Sequence, residues 1–301
     1  MCQAERSDRI PILSRCSVNE HAMFHWLYDP LTYDFVRNAI AMGIIIGILC
    51  PVVGSYLIVQ RMALLGDVIA HCVLPGLSIA LATGIDVLVG GFSSGILGAL
   101  FITWLRRQSR IKVDSAMALT FSTFFALGVT LISVLGKGMA LDSLLFGEIL
   151  GVTLVDIGRT LAIALVILVL VASTYKEVAF YTFDAVGAQA MGLPVNGIQI
   201  GLMVVTTLTI IASMRAVGVI LVIALLIGPA LTAYLLVQEL YQMMMLGAIL
   251  GAIDSVLGIY ASYYWGLPSG PAIVLVSSVI FLLVLGIRPL WRSRLLTRPT
   301  G

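Results

Sequence analysis

Gln60 to Ser78, QRMALLGDVIAHCVLPGLS, decides how this chain folds. It is an apolar segment that nevertheless carries an acid and an imidazole, Asp67 and His71. On a helix, residues four apart share a face, about 6 Å from one another along the axis. An ionisable group at the centre of a bilayer costs about 2.5–3.5 kcal/mol on insertion scales, so it faces a partner or a polar passage. A carboxylate and an imidazole on the wall of such a passage can bind a divalent cation. They can also simply hydrogen-bond each other or a neighbouring helix, and spacing alone leaves both readings open.

The surroundings settle the fold class. Of 301 residues, 60% are hydrophobic and 11% charged, with a mean hydropathy of +1.09. A soluble domain is about a quarter charged. The chain is an all-α integral membrane protein, a polytopic bundle. Hydropathy gives nine spans near 38–59, 64–82, 86–105, 115–135, 155–173, 197–214, 217–237, 241–263 and 271–288, each close to the roughly 20 residues that cross a bilayer. Eight remain if one is re-entrant. The second span carries the Asp/His pair and Pro75, and the boundary at Arg215 is tight. Pro51 and Pro229 lie inside spans and predict kinks. Gly43/Gly47 and Gly247/Gly251 have the spacing of close helix contacts, a pattern that by itself names no partner.

Residues 1–22 are polar and irregular and are expected to form a poorly ordered extension. The membrane-spanning part runs from 23 to 290 and a basic tail from 291 to 301. Trp26, Tyr28 and Tyr33 suit a membrane interface. His21 and His25 have a metal-pair spacing but sit in a surface-type segment. Cys2, Cys16, Cys50 and Cys72 show no CxxC spacing, so no disulfide framework or zinc finger is indicated. Cys72 adjoins His71 but points about 100° away on a helix, as a packing residue would.

Arg106, Arg107, Arg110 and Lys112 cluster between the third and fourth spans, and Arg288, Arg292, Arg294 and Arg298 follow the last. Positive charge marks the cytoplasmic side. The C-terminus and residues 174–196 then lie inside, and the N-terminus and residues 133–156 outside. Arg61 falls inside, which puts His71 about 15 Å along its helix, close to mid-bilayer.

ATP hydrolysis by a phosphate-cradling loop needs GxxxxGK[ST]. The chain has three lysines, and at Gly136-Lys137 the next residue is Gly138, with Leu131 where the first glycine belongs. This chain therefore lacks that motif and is not read as an enzyme. An intramembrane metalloprotease would want HExxH, and Cys72 stands where the Glu should be. A secondary transporter, with Asp67, His71 and Asp254 as a relay, is the rival from another class; it would work without any ATPase, and no convincing internal repeat supports it. Asp254 is expected to pair with Ser255, Ser262 or a backbone carbonyl. Asp142 and Glu148 are read as solvated loop residues, and Asp114 as a cap or ion-pair partner.

The run RMALLGDxxAHxxxPG, Arg61 to Gly76, resembles the signature of the membrane subunits of manganese and zinc ABC importers. Lys112-Val113-Asp114 followed by TFSTFFALGVTLIS, the stretch Leu145 to Leu150, and Ser213 to Ala230 are similar to other parts of that family. The resemblance implies a type II-like importer permease with Asp67 and His71 as a transit site. It also implies a homodimer, ATPase subunits that bind the ATP, and an extracytoplasmic metal-binding protein. The cargo it implies is manganese, with zinc or iron as alternatives. Beyond these and the lipid bilayer no partner is expected, nucleic acid included, and no cofactor resides in the chain. The expected location is the bacterial plasma membrane. Phe183 to Pro194, FDAVGAQAMGLP, resembles the coupling helix that docks on the ATPase. Asp184 suits a helix start and Gly192 with Pro194 its stop, and Asp184, Ala188 and Gly192 are the candidate coupling residues.

Overall fold

The computed structural model describes residues 30–108, 111–135 and 149–296. His21, His25, Cys2, Cys16, Trp26, Tyr28, Arg110, Asp142, Glu148, the 1–22 segment and the end of the tail lie outside the described residues.

The described chain is helical throughout. In order run α1 (Asp34–Val59), α2 (Leu64–Cys72), α3 (Leu74–Thr83), α4 (Val87–Gln108), α5 (Val113–Leu135) and α6 (Leu154–Phe183). Then come α7 (Ala185–Ala190), α8 (Val195–Val217), α9 (Val219–Leu236), α10 (Leu240–Trp265) and α11 (Ser269–Leu296). Counting α2 and α3 as one span, nine helices among the described residues are long and apolar enough to cross a membrane. The centre is held by α1, packed on α10, α9 and α6. α5, α6 and α11 lie at the periphery, with most of their spans unburied by the chain itself.

Small residues set the central contact. Gly47 of α1 faces Gly251 of α10, Gly43 lies against Ser255, and Gly247 lies against Pro51. The two glycine pairs in the sequence are therefore halves of one interface. Close backbone approach gains dispersion contact where apolar burial supplies no drive.

Three departures from the hydropathy reading have local causes. The second span is broken: α2 ends at Cys72 and α3 starts at Leu74. Pro75 has no N–H to give the carbonyl of His71, and the Cys72 carbonyl accepts instead from Ser94 Oγ at 2.6 Å. α6 does not stop near residue 173 but continues to Phe183. Thirty residues span about 45 Å, well beyond the hydrocarbon core. Lys176 and Glu177 end the apolar run, but no Gly or Pro from Arg159 to Phe183 ends the helix. The sixth and seventh spans meet at Gly218 rather than Arg215. Gly218 has φ 82 and ψ 162, a region open almost only to glycine.

Candidate metal-transit site

α2 is pinned by its neighbours. Leu65, Val68, Ile69, Ala70 and Cys72 are buried, and Gly66 sits so close to Leu226 of α9 that a Cβ there would lie 2.5 Å from Leu226 Cδ2. Leu64, Asp67 and His71 share the remaining face, which the chain's own packing leaves open at Leu64 and partly open at Asp67, while α5 covers much of His71. His71 Nε2 lies 3.5 Å from Asp67 Oδ1, with side chains 16% and 40% exposed. At that separation one cation can touch both atoms at about 2.0–2.2 Å without either residue moving. The pair thus lies side by side, as the spacing predicts, with Asp67 the more accessible of the two.

Two ligands do not make a closed shell. Among the described residues no group of three or more His, Cys, Asp and Glu is placed to hold a metal. Cys72 is buried against Gly98, turned away from the pair. Phe121 and Phe125 of α5 flank the imidazole, and these rings were missed by a reading that looked for donors.

Asp254 lies elsewhere, on α10, and is 1% exposed. The expected serine partners are taken: Ser255 Oγ donates to the Gly251 carbonyl and Ser262 Oγ to that of Leu267. Its neighbour is Ser277 of α11, and neither Asp254 Oδ1 nor Ser277 Oγ has a hydrogen-bonding partner.

At one end of the bundle the turns converge. Gln60, Arg61, Arg106, Lys112, Asp114 and Thr182 line a polar cavity of about 600 Å³ that reaches Ala185 of α7. Gln60 Nε2 donates to Thr182 Oγ1 at 3.2 Å. Charges that hydropathy assigns to one side of the membrane are thus neighbours in space. Arg61 has φ 58, a left-handed conformation uncommon for any side chain but glycine's.

The short helix expected in FDAVGAQAMGLP is α7. Asp184 caps it, with Oδ1 accepting from the Gly187 N–H at 2.8 Å, and Gly192 follows with φ 82. Ala188 is fully buried against the chain's own helices, while Val186 and Met191 are 80% and 75% exposed. The apolar groups that α7 offers outward are therefore Val186 and Met191, which a reading centred on the small residues passed over.

Among the described residues, nine helices long and apolar enough to cross a membrane, with an acid and an imidazole side by side on the second span, make this a multi-pass membrane protein. The model of the ABC 3 transport family matches residues 32–288, and the chain belongs to that family, a membrane subunit of an ABC transporter. It is 42% identical to the manganese transport system membrane protein MntC of Listeria innocua, over 83% of this chain and 90% of that protein. It is 36% identical to the chelated iron transport system membrane protein YfeD of Yersinia pestis, over 87% and 89%. The solved structure of PsaBC from Streptococcus pneumoniae in complex with Fab matches with a TM-score of 0.79 at 37% identity. That match covers 87% of this chain and 95% of the PsaBC chain.

Proposed function

We propose that this chain is the permease of an ATP-driven importer that passes a divalent metal ion, manganese first, across the membrane between two copies of itself. Asp67 and His71 are the residues the ion touches in transit. The observation that carries this is that Asp67 Oδ1 and His71 Nε2 lie 3.5 Å apart with 40% of the Asp67 side chain left exposed, on a span that the chain mostly buries. A carboxylate left against lipid is costly, up to about 2.5–3.5 kcal/mol at the bilayer centre. A second copy related by a two-fold axis removes the face from lipid and brings a second acid and imidazole to it. Two subunits then supply four donors where one supplies two. A shell shared between subunits opens when they part, which suits a site that must release its ion.

The manganese relative supports the choice of ion. The iron relative keeps iron as the second reading, and carboxylate with imidazole suits manganese, iron and zinc alike. Lacking a phosphate loop, the subunit takes its energy from a separate ATPase that docks on α7. In this arrangement the cavity lined by Arg61, Arg106 and Lys112 and the C-terminus face the cytoplasm of a bacterial cell, and a metal-binding protein delivers the ion from outside. Co-expression with its ATPase partner and uptake of radioactive manganese into proteoliposomes tests this. Asp67→Ala and His71→Ala should abolish uptake in a complex that still elutes as one species. Normal uptake by the double variant would remove the assignment.

A further inference from the structure

His71 Nδ1 is buried and has no hydrogen-bonding partner. A histidine that meets a metal ordinarily gives its second ring N–H to a carboxylate, a carbonyl or water, which fixes the ring. Here the ring is held by hydrocarbon. Its centroid lies 4.8 Å from that of Phe121 and 5.4 Å from that of Phe125, and it stands at 83° to each. The two phenyl rings are parallel to within 2°, 5.7 Å apart, one turn from each other on α5. Perpendicular rings at such distances attract, because the positive edge of one meets the negative face of the other.

We propose that Phe121 and Phe125 are positioning residues for His71: the parallel rings hold the imidazole on edge, so that Nε2 faces Asp67 and the passing ion. The proposal rests on the reading of Asp67 and His71 as the transit site. The stacked pair does the orienting that a hydrogen-bonded carboxylate does in a resident metal site. It fixes the ring without adding charge behind it. The imidazole is then aimed but is not made a stronger ligand, as a carboxylate partner would make it. This is what a site with rapid turnover requires.

The chain has three histidines, so His21→Gln with His25→Gln leaves His71 alone. With a histidine-free affinity tag, and the labelled permease combined with unlabelled ATPase, ¹⁵N-histidine NMR of the complex in nanodiscs reads that one ring. The parent should give one narrow set of ring resonances. Phe121→Leu with Phe125→Leu keeps apolar bulk but removes both rings, and should broaden or split that set. In proteoliposomes the same variant should raise the KM for manganese about three- to tenfold, less than loss of a hydrogen-bonded partner would cost. Maximal uptake and ATPase activity should stay near parental values. Phe125→Tyr, which keeps the ring, should behave as the parent in both assays. If the double variant does not insert, Phe125→Leu alone carries the comparison. Unchanged ring resonances and KM in the leucine variants overturn the proposal while leaving the transit site standing. A fall in maximal uptake at constant KM overturns it too, because it marks a merely structural role. Full uptake by Asp67→Ala with His71→Ala overturns both readings together.

Discussion

Replacing Gly47 or Gly251 by alanine probes the contact on which the bundle is built. A Cβ on Gly47 would lie 2.7 Å from Gly251 C and 2.9 Å from Ser255 Oγ, and would overlap the Gly251 carbonyl oxygen. A Cβ on Gly251 would lie 2.9 Å from Pro51 Cγ and overlap the Gly47 carbonyl oxygen. The obstacles are mostly backbone, so no side chain can swing away. Ordinary contact at about 3.4–4 Å is regained only if α1 and α10 part by about 1 Å along this line, and forcing extra methyl groups into a packed interface costs about 1–3 kcal/mol. Each single variant should lose stability in that range. Both are relieved by the same separation of the same two helices, so the double variant should cost little more than the worse single one. The coupling between the sites should be of the order of −1 to −2 kcal/mol. Gly201→Ala is the control, since nothing lies within 4 Å of its added Cβ. Reversible SDS unfolding in mixed micelles, followed by tryptophan fluorescence, measures the parent and all four variants. Strict additivity of the two costs, or an undamaged single variant, would mean that α1 and α10 do not meet through these glycines.

Other consequences can be checked alongside. Asp184→Ala removes the cap of α7, worth about 1 kcal/mol of helix stability, whereas Asn replaces it. ATP-driven uptake should fall in Asp184→Ala and survive in Asp184→Asn when both are assayed with the ATPase. Gly218→Ala forces a Cβ into a backbone region with φ 82 and ψ 162, and should lower stability by about 1–3 kcal/mol in the SDS titration. Since two ligands per chain do not hold the fold together, washing with a chelator should leave the melting temperature of the permease unchanged, measured by fluorescence-detected gel filtration after heating.

The span positions were legible because every residue of a lipid-exposed helix contributes to mean hydropathy. Asp67 and His71 were legible because an ionisable pair stands out against apolar neighbours and its one-turn spacing is local. What the sequence concealed depends on distant parts of the chain. The glycine pairs of α1 and α10 are visible, but that Gly47 meets Gly251 is a fact of packing between residues about two hundred apart. Hydropathy marks where the apolar run of α6 gives way to Lys176 and Glu177, whereas the helix ends where its capping chemistry changes at Asp184. Ala188 has the small size of a docking residue, yet the turn of α7 points it inward and leaves Val186 and Met191 outside. Asp254 is set apart from Ser255 and Ser262 because both hydroxyls are already committed to backbone carbonyls. Phe121 and Phe125 look like any core aromatics until α5 brings them to His71.

Whether a passing ion binds His71 can be read from the ion itself. Manganese(II) trapped in the nucleotide-bound complex gives a pulsed EPR signal in which a coordinating imidazole shows as ¹⁴N coupling. The coupling should be present in the parent and absent in His71→Gln, with His21 and His25 replaced in both. The same coupling surviving in His71→Gln, or missing from a parent complex that transports manganese, would place the route of the ion somewhere else.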